Sequence, residues 1–117
     1  MNVLVLFDTQ YGNTGKIAHA IGDAFPSTAS VRVQNVRQGG LPPLEHVDFL
    51  IVGGPTQRQR MTTGLGVTLR AIPRRSLKDV EAAAFDTRYR MSALLTGSAA
   101  ERIARLLKKA GAHRWGA

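Results

Sequence analysis

The chain has 117 residues, of which 44% are hydrophobic and none is cysteine, so it reads as one domain over residues 1–117 with a real core. Disulfides, thiolate metal centres, iron–sulfur clusters and a cysteine nucleophile are all excluded. Lys and Arg number 16 against 8 Asp and Glu, and the net charge of +8 is uneven: residues 1–57 hold 3 basic and 4 acidic residues, and residues 58–117 hold 13 and 4. That asymmetry points either to an anionic partner for the second half or to a generally Arg-rich surface. The first apolar run, Val3 to Phe7, has no basic lead-in, unlike a signal peptide. No stretch nears the roughly 18 apolar residues of a membrane span. The expectation is a cytoplasmic protein without membrane contact.

Residues 2–8 form a continuous apolar run, the pattern of a strand buried on both faces of a parallel sheet. Turn chemistry fills 9–13, and a helix is predicted from Thr14. Its stripe would be Ile17, Ala20, Ile21, Ala24 and Phe25, and Pro26 would end it. Residues 30–36 alternate and suggest a strand nearer the sheet edge. Gly39-Gly40 and Pro42-Pro43 then argue against regular structure. Residues 47–52 read as another buried strand, stopped by Gly53-Gly54-Pro55. A loop over 56–64 leads into a helix from Thr63 to Ile72, weakened by Gly64 and Gly66. A fourth strand is placed at 79–85 by its context, because its three alanines have poor strand propensity. In the last helix Ser98 and Glu101 fit a capping box. Ala99, Ile103, Leu106, Leu107 and Ala110 form its apolar stripe, and Gly111 is placed to end it. Ala112 to Ala117 are too few for another strand–helix unit. Alternating strands and helices imply parallel units with right-handed crossovers.

In such sheets ligands sit beyond the carboxyl ends of the strands, which singles out the loops 9–14, 53–64 and 86–97. The first reads Thr9-Gln10-Tyr11-Gly12-Asn13-Thr14. Two hydroxyls, an amide, a glycine turn and a following helix N-terminus suit a phosphate. It lacks the Gly-Lys-Ser/Thr ending of a nucleotide P-loop, and an ordinary helix cap would use the same residue types.

Strand, Thr-x-Tyr-Gly-Asn-Thr and helix, in that order, resemble the phosphate loop of the flavodoxin family. Val52-Gly53-Gly54-Pro55-Thr56 resembles that family's second flavin loop. Ala84-Phe85-Asp86-Thr87-Arg88, followed by Thr96-Gly97-Ser98-Ala99-Ala100, resembles its third loop and next helix. The resemblance runs from about residue 2 to residue 111. It implies an α/β flavodoxin-like open parallel sheet in the order 2-1-3-4, with helices on both faces and a C-terminally shortened chain. The implied cofactor is FMN and the implied activity electron transfer. Thr9, Gln10, Tyr11, Gly12, Asn13 and Thr14 would hold the phosphate. Pro55, Thr56 and Gln57 would border the ring or ribityl chain, and Asp86, Thr87, Arg88 and Tyr89 would line the other side.

The chain also departs from that family. Residues 56–64 hold no aromatic to stack on a flavin, and Met61 is their largest apolar side chain. Tyr89 could supply one stacking face. Flavodoxins are typically acidic, whereas Arg58, Arg60, Arg88 and Arg90 would make this flavin edge basic. That rim suggests an acidic redox partner. The family's fifth strand and helix have no counterpart, so strand four would be an exposed edge open to a homodimer. The alternative is a cofactor-free module of the same fold that binds a protein or another anion. Nucleic acid is the less favoured partner, because no aromatic residues interleave the basic ones. No separate enzyme signature stands out, so the expectation is a carrier, with a quinone reductase of the same fold left open. His19, His46 and His113 lack metal-ligand spacing, and His19 is expected on the helix surface.

Overall fold

The computed structural model describes residues 1–9, 12–55, 62–73, 75–87 and 99–114. Its elements are β1 (Asn2–Phe7), α1 (Asn13–Asp23), β2 (Ser30–Asn35), α2 (Val36–Gly39), β3 (Phe49–Pro55), α3 (Thr63–Arg70), β4 (Glu81–Thr87), α4 (Ala99–Lys109) and β5 (His113–Arg114). The sheet is parallel throughout, in the order β2-β1-β3-β4-β5. The four long strands thus follow the expected 2-1-3-4. Contrary to the expectation that a fifth strand has no counterpart, the two-residue β5 joins beyond β4 and pairs Glu81 with His113 and Ala82 with Arg114, so the first residues of β4 are not an exposed edge.

Both faces of the sheet are covered, and the strand period of two shows it. Val3, Val5 and Phe7 of β1, with Phe49 and Ile51 of β3, form one apolar cluster with Ala18 of α1. Leu4, Leu6, Leu50 and Val52 turn the other way and pack with Leu65 and Leu69 of α3 and Ile103 and Leu107 of α4. Each fully buried Leu or Val contributes roughly 1.5–3 kcal/mol of apolar transfer, which is why the central strands read as unbroken apolar runs.

The stripe of α1 follows expectation only in part: Ile21 and Phe25 are half-buried against the core. Its buried residues are Thr14, Gly15, Ala18 and Gly22, while Ile17 is 37% exposed. The helix docks by its smallest side because the sheet leaves no room for more. A Cβ on Gly22 would lie 2.8 Å from Val33 Cγ2, and one on Gly15 3.2 Å from Phe7 Cε2. Phe7 also meets His19 edge-on, with ring centroids 5.9 Å apart, and His19 is exposed as expected.

Two strands run further at their carboxyl ends than the sequence suggested. β3 continues through Gly53 and Gly54 to Pro55, and β4 through Asp86 to Thr87. Gly53 is not a stop but a space: a Cβ there would fall 2.1 Å from the Phe85 ring, which lies across it. Pro55 ends the strand, where its missing N–H costs least. The segment expected to be irregular around Gly39 contains the one-turn α2, capped by the Asn35 side chain, which accepts from Arg37 N–H at 2.9 Å. The end of α4 matches its expectation. Gly111 has φ +100°, Gly111 N–H donates to Lys108 O at 3.0 Å and Ala112 N–H to Leu107 O at 3.1 Å. That pair of bonds is a Schellman motif. The Ser98 half of the expected capping box lies outside the described residues. No helix among the described residues is long and apolar enough to cross a membrane.

Candidate functional site

Parallel register brings the carboxyl ends of three strands level. Phe7 pairs with Gly53, and Gly53 with Phe85. One step further Gly54 stands beside Asp86, and Pro55 beside Thr87. The three loops singled out in the sequence therefore leave the sheet side by side.

The first loop begins at Thr9 and turns at Gly12, whose φ of +86° is open to glycine at no steric cost. Thr9 Oγ1 accepts from the Gly12 N–H at 2.8 Å, so that amide is turned back onto the loop and not outward. Gly12 is the N-cap of α1, and no side chain among the described residues caps the helix. The first intrahelical bond runs from Lys16 N–H to Gly12 O at 3.2 Å. The amides of Asn13, Thr14 and Gly15 precede it and have no partner within the helix. α2 and α3, by contrast, are capped by Asn35 and Thr62. Among the described residues a Cβ added at Gly12 would meet nothing within 4 Å.

Thr14 is 2% exposed, and its Oγ1 lies 2.8 Å from Thr87 Oγ1 at the end of β4. This bond joins the first loop to the third. Pro55, Asp86 and Thr87 are all half-buried at the same edge. Of the expected site residues, Thr9, Gly12, Asn13, Thr14, Pro55, Asp86 and Thr87 thus gather at one end of the sheet. Gln10, Tyr11, Thr56, Gln57, Arg88 and Tyr89 lie outside the described residues, as do Arg58, Arg60, Met61 and Arg90 of the basic rim.

Three further residues belong to this end and were not singled out from the sequence. Asp8 follows β1 directly and is fully buried. Its carboxylate accepts from Arg37 Nε, with Nη2 a further 3.5 Å from Oδ2, and from the Thr62 hydroxyl. Thr62 also accepts from Leu65 N–H at 3.3 Å and so caps α3. The Asp8 carboxylate, first by hydrogen bond and then by charge, raises the pKa of Arg37 above its ordinary value. Asp8 immediately precedes the first loop, and Thr62 closes the second at the head of α3. One buried carboxylate therefore ties together the roots of both. A lone Asp closing an apolar strand was the available signal. Its partners, 29 and 54 residues away, became visible only through the topology.

No family model and no curated protein matches this sequence. Solved structures do. An archaeal flavodoxin superposes over 100% of this chain and 80% of its own, at 22% identity and a TM-score of 0.78. The fold is flavodoxin-like. A short-chain flavodoxin associated with a bacterial microcompartment matches 97% of this chain and 78% of its own, at 16% identity and a TM-score of 0.83. A Fusobacterium nucleatum flavodoxin mutant bound to flavin mononucleotide matches 98% of this chain and 68% of its own, at 17% identity and a TM-score of 0.76. This flavodoxin-like chain is thus shorter than each of these three proteins.

Proposed function

We propose that this chain is an FMN-binding electron-transfer protein. The observation that carries the reading is the start of α1. A glycine turn precedes a helix whose first amides no described side chain caps, with the Thr9 and Thr14 hydroxyls beside it. Amide donors, the positive end of the helix dipole and hydroxyls suit a phosphate dianion. The described residues therefore fit the phosphate end of FMN, and the flavodoxin-like neighbour that holds FMN supports the choice of cofactor.

In this reading Thr9, Gln10, Tyr11, Gly12, Asn13 and Thr14 hold the phosphate. Pro55, Thr56 and Gln57 border the ring or ribityl chain on one side, and Asp86, Thr87, Arg88 and Tyr89 on the other. FMN, when bound, supplies the one- or two-electron chemistry. The chain's own contribution is binding, orientation and electrostatics. Thr9 keeps its hydroxyl proton free for the anion, because its oxygen serves Gly12 as acceptor. The excess of basic residues after position 57 suits an acidic redox partner that approaches the flavin edge.

The test is the visible absorption spectrum of the purified protein, followed by titration with FMN. The expected result is a flavin spectrum or saturable binding that is weakened in Thr9→Ala and in Thr14→Val and lost when both are combined. No flavin and no saturable binding would overturn the reading. It would favour the cofactor-free interaction module that the absence of an aromatic in residues 56–64 suggests.

A further inference from the structure

The loops that would hold opposite ends of a flavin are joined by one hydrogen bond between two hydroxyls. Thr14 and Thr87 lie 73 residues apart in the chain, and their Oγ1 atoms are 2.8 Å apart. Thr14 sits in the first turn of α1, with its side chain almost wholly out of solvent. Thr87 is the last residue of β4 and pairs with Pro55, the last residue of β3. A threonine hydroxyl has one proton to give and can accept two. In a facing pair one donates and the other accepts, and without an outside partner the two directions are equivalent.

A phosphate removes that equivalence, because it only accepts. If the Thr14 hydroxyl donates its single proton to the anion, it can meet Thr87 only as acceptor, and Thr87 must donate. Donation from Thr87 into the Thr14 oxygen polarises the Thr14 O–H bond and strengthens its own donation, as in any hydrogen-bonded chain. It also fixes the Thr14 rotamer, so the hydroxyl is already aimed when the anion arrives.

We propose that Thr87 is a positioning residue for the phosphate, acting through Thr14, and that phosphate binding at α1 sets the direction of the Thr87 hydroxyl at the root of the third loop. This rests on the FMN reading and adds to it a role for Thr87 at the phosphate end, in place of a contact with the ring alone.

Riboflavin has the ring and the ribityl chain of FMN but no phosphate, so the pair separates the two roles. Wild type, Thr87→Val and Thr87→Ser are titrated with both flavins by fluorescence quenching. Thr87→Val should weaken FMN about three- to tenfold more than it weakens riboflavin, the span of one hydrogen bond. Thr87→Ser should restore FMN binding. In a Thr14→Val background, Thr87→Val should add no further loss, because the group it acts through is gone. Valine keeps the shape and suits a strand end, and unfolding midpoints are taken for every variant. If Thr87→Val fails to fold, Thr87→Ala in the same four-way cycle decides the matter. Equal weakening of both flavins, no weakening of FMN, failure of Thr87→Ser to restore it, or additive losses with Thr14→Val would each overturn the relay. Those outcomes leave the FMN reading standing. A wild-type protein that binds neither flavin overturns that reading and the relay with it.

Discussion

Asp8 is the residue whose loss should tell most about how this end of the sheet is built. Its carboxylate is fully buried and takes donors from two other segments, Arg37 on α2 and Thr62 at the head of α3. Asp8→Asn keeps the shape and one acceptor oxygen but turns an NH2 group toward a donor. Charge-assisted hydrogen bonds contribute about 1.5–3 kcal/mol and neutral ones about 1. Replacing the one by the other, and losing the ion pair with a side chain that is 53% exposed and can be rehydrated, should cost roughly 1–3 kcal/mol. With an unfolding entropy of about 2.1 cal/mol/K per residue, the 117 residues set about 4 °C per kcal/mol. Tm should then fall by about 4–12 °C, measured by calorimetry or circular dichroism. Because Thr62 meets the same carboxylate, Asp8→Asn and Thr62→Val should not add. Their coupling should be about 0.5–3 kcal/mol. An Asp8→Asn protein as stable as wild type, or losses that simply sum, would refute the idea that this carboxylate holds the three segments together.

Arg37 has its pKa raised by Asp8. A cation whose pKa rises on folding stabilises the fold below its ordinary pKa and loses that effect only as pH climbs through the raised value. The stability difference between wild type and Arg37→Gln should therefore stay constant from about pH 6 to 9; a difference that vanishes within that window would contradict it. Gly53→Ala should destabilise by about 1–3 kcal/mol in urea unfolding, because its Cβ would strike the Phe85 ring, and Phe85→Leu should recover part of the loss. Gly111→Ala should cost about 1–2 kcal/mol in the same assay, since φ is +100° and the Arg75 Cα would stand 3.2 Å from the new Cβ. If FMN is bound, neutralising Arg88 and Arg90 together should lower its reduction potential. A surface charge effect of roughly 0.5–1 kcal/mol corresponds to about 20–40 mV for one electron, and a potential that stays or rises would count against the basic rim acting on the flavin.

The architecture was legible because parallel sheets advertise themselves. Strands such as β1 and β3, covered on both faces, need apolar side chains at every position, and the intervening helices reveal themselves by period. What the pattern could not carry was mutual fit. The period-based stripe on α1 placed Ile21 and Phe25 against the core but also passed through the exposed Ile17 and Ala20, whereas the helix docks most closely on Gly15, Ala18 and Gly22 because Phe7 and Val33 already fill the space. Gly53 looked like a strand terminator for the same reason: its absent side chain is explained by the Phe85 ring, 32 positions later in the sequence and adjacent only through the β3–β4 register.

The site divides along the same line. The proposed phosphate loop is local, six consecutive residues from just past β1 into the first turn of α1, so its chemistry can be read directly from Thr9 to Thr14. The Asp8 arrangement is non-local. A buried carboxylate set immediately before an anion-binding loop would oppose any anion placed there, because two negative charges at close range in a poorly polarisable interior repel strongly. The fold answers this by bringing Arg37 and Thr62 onto the same carboxylate, so the charge is matched before any ligand arrives. That makes Asp8 a structural tie for the two loop roots and leaves the open amides of α1 as the feature an incoming anion meets. The Thr14–Thr87 bond has the same logic: neither residue signals it alone, and it exists because β4 ends level with the first turn of α1. In this chain the proposed ligand chemistry lies in local segments, and pairings across the sheet decide which groups are free for it.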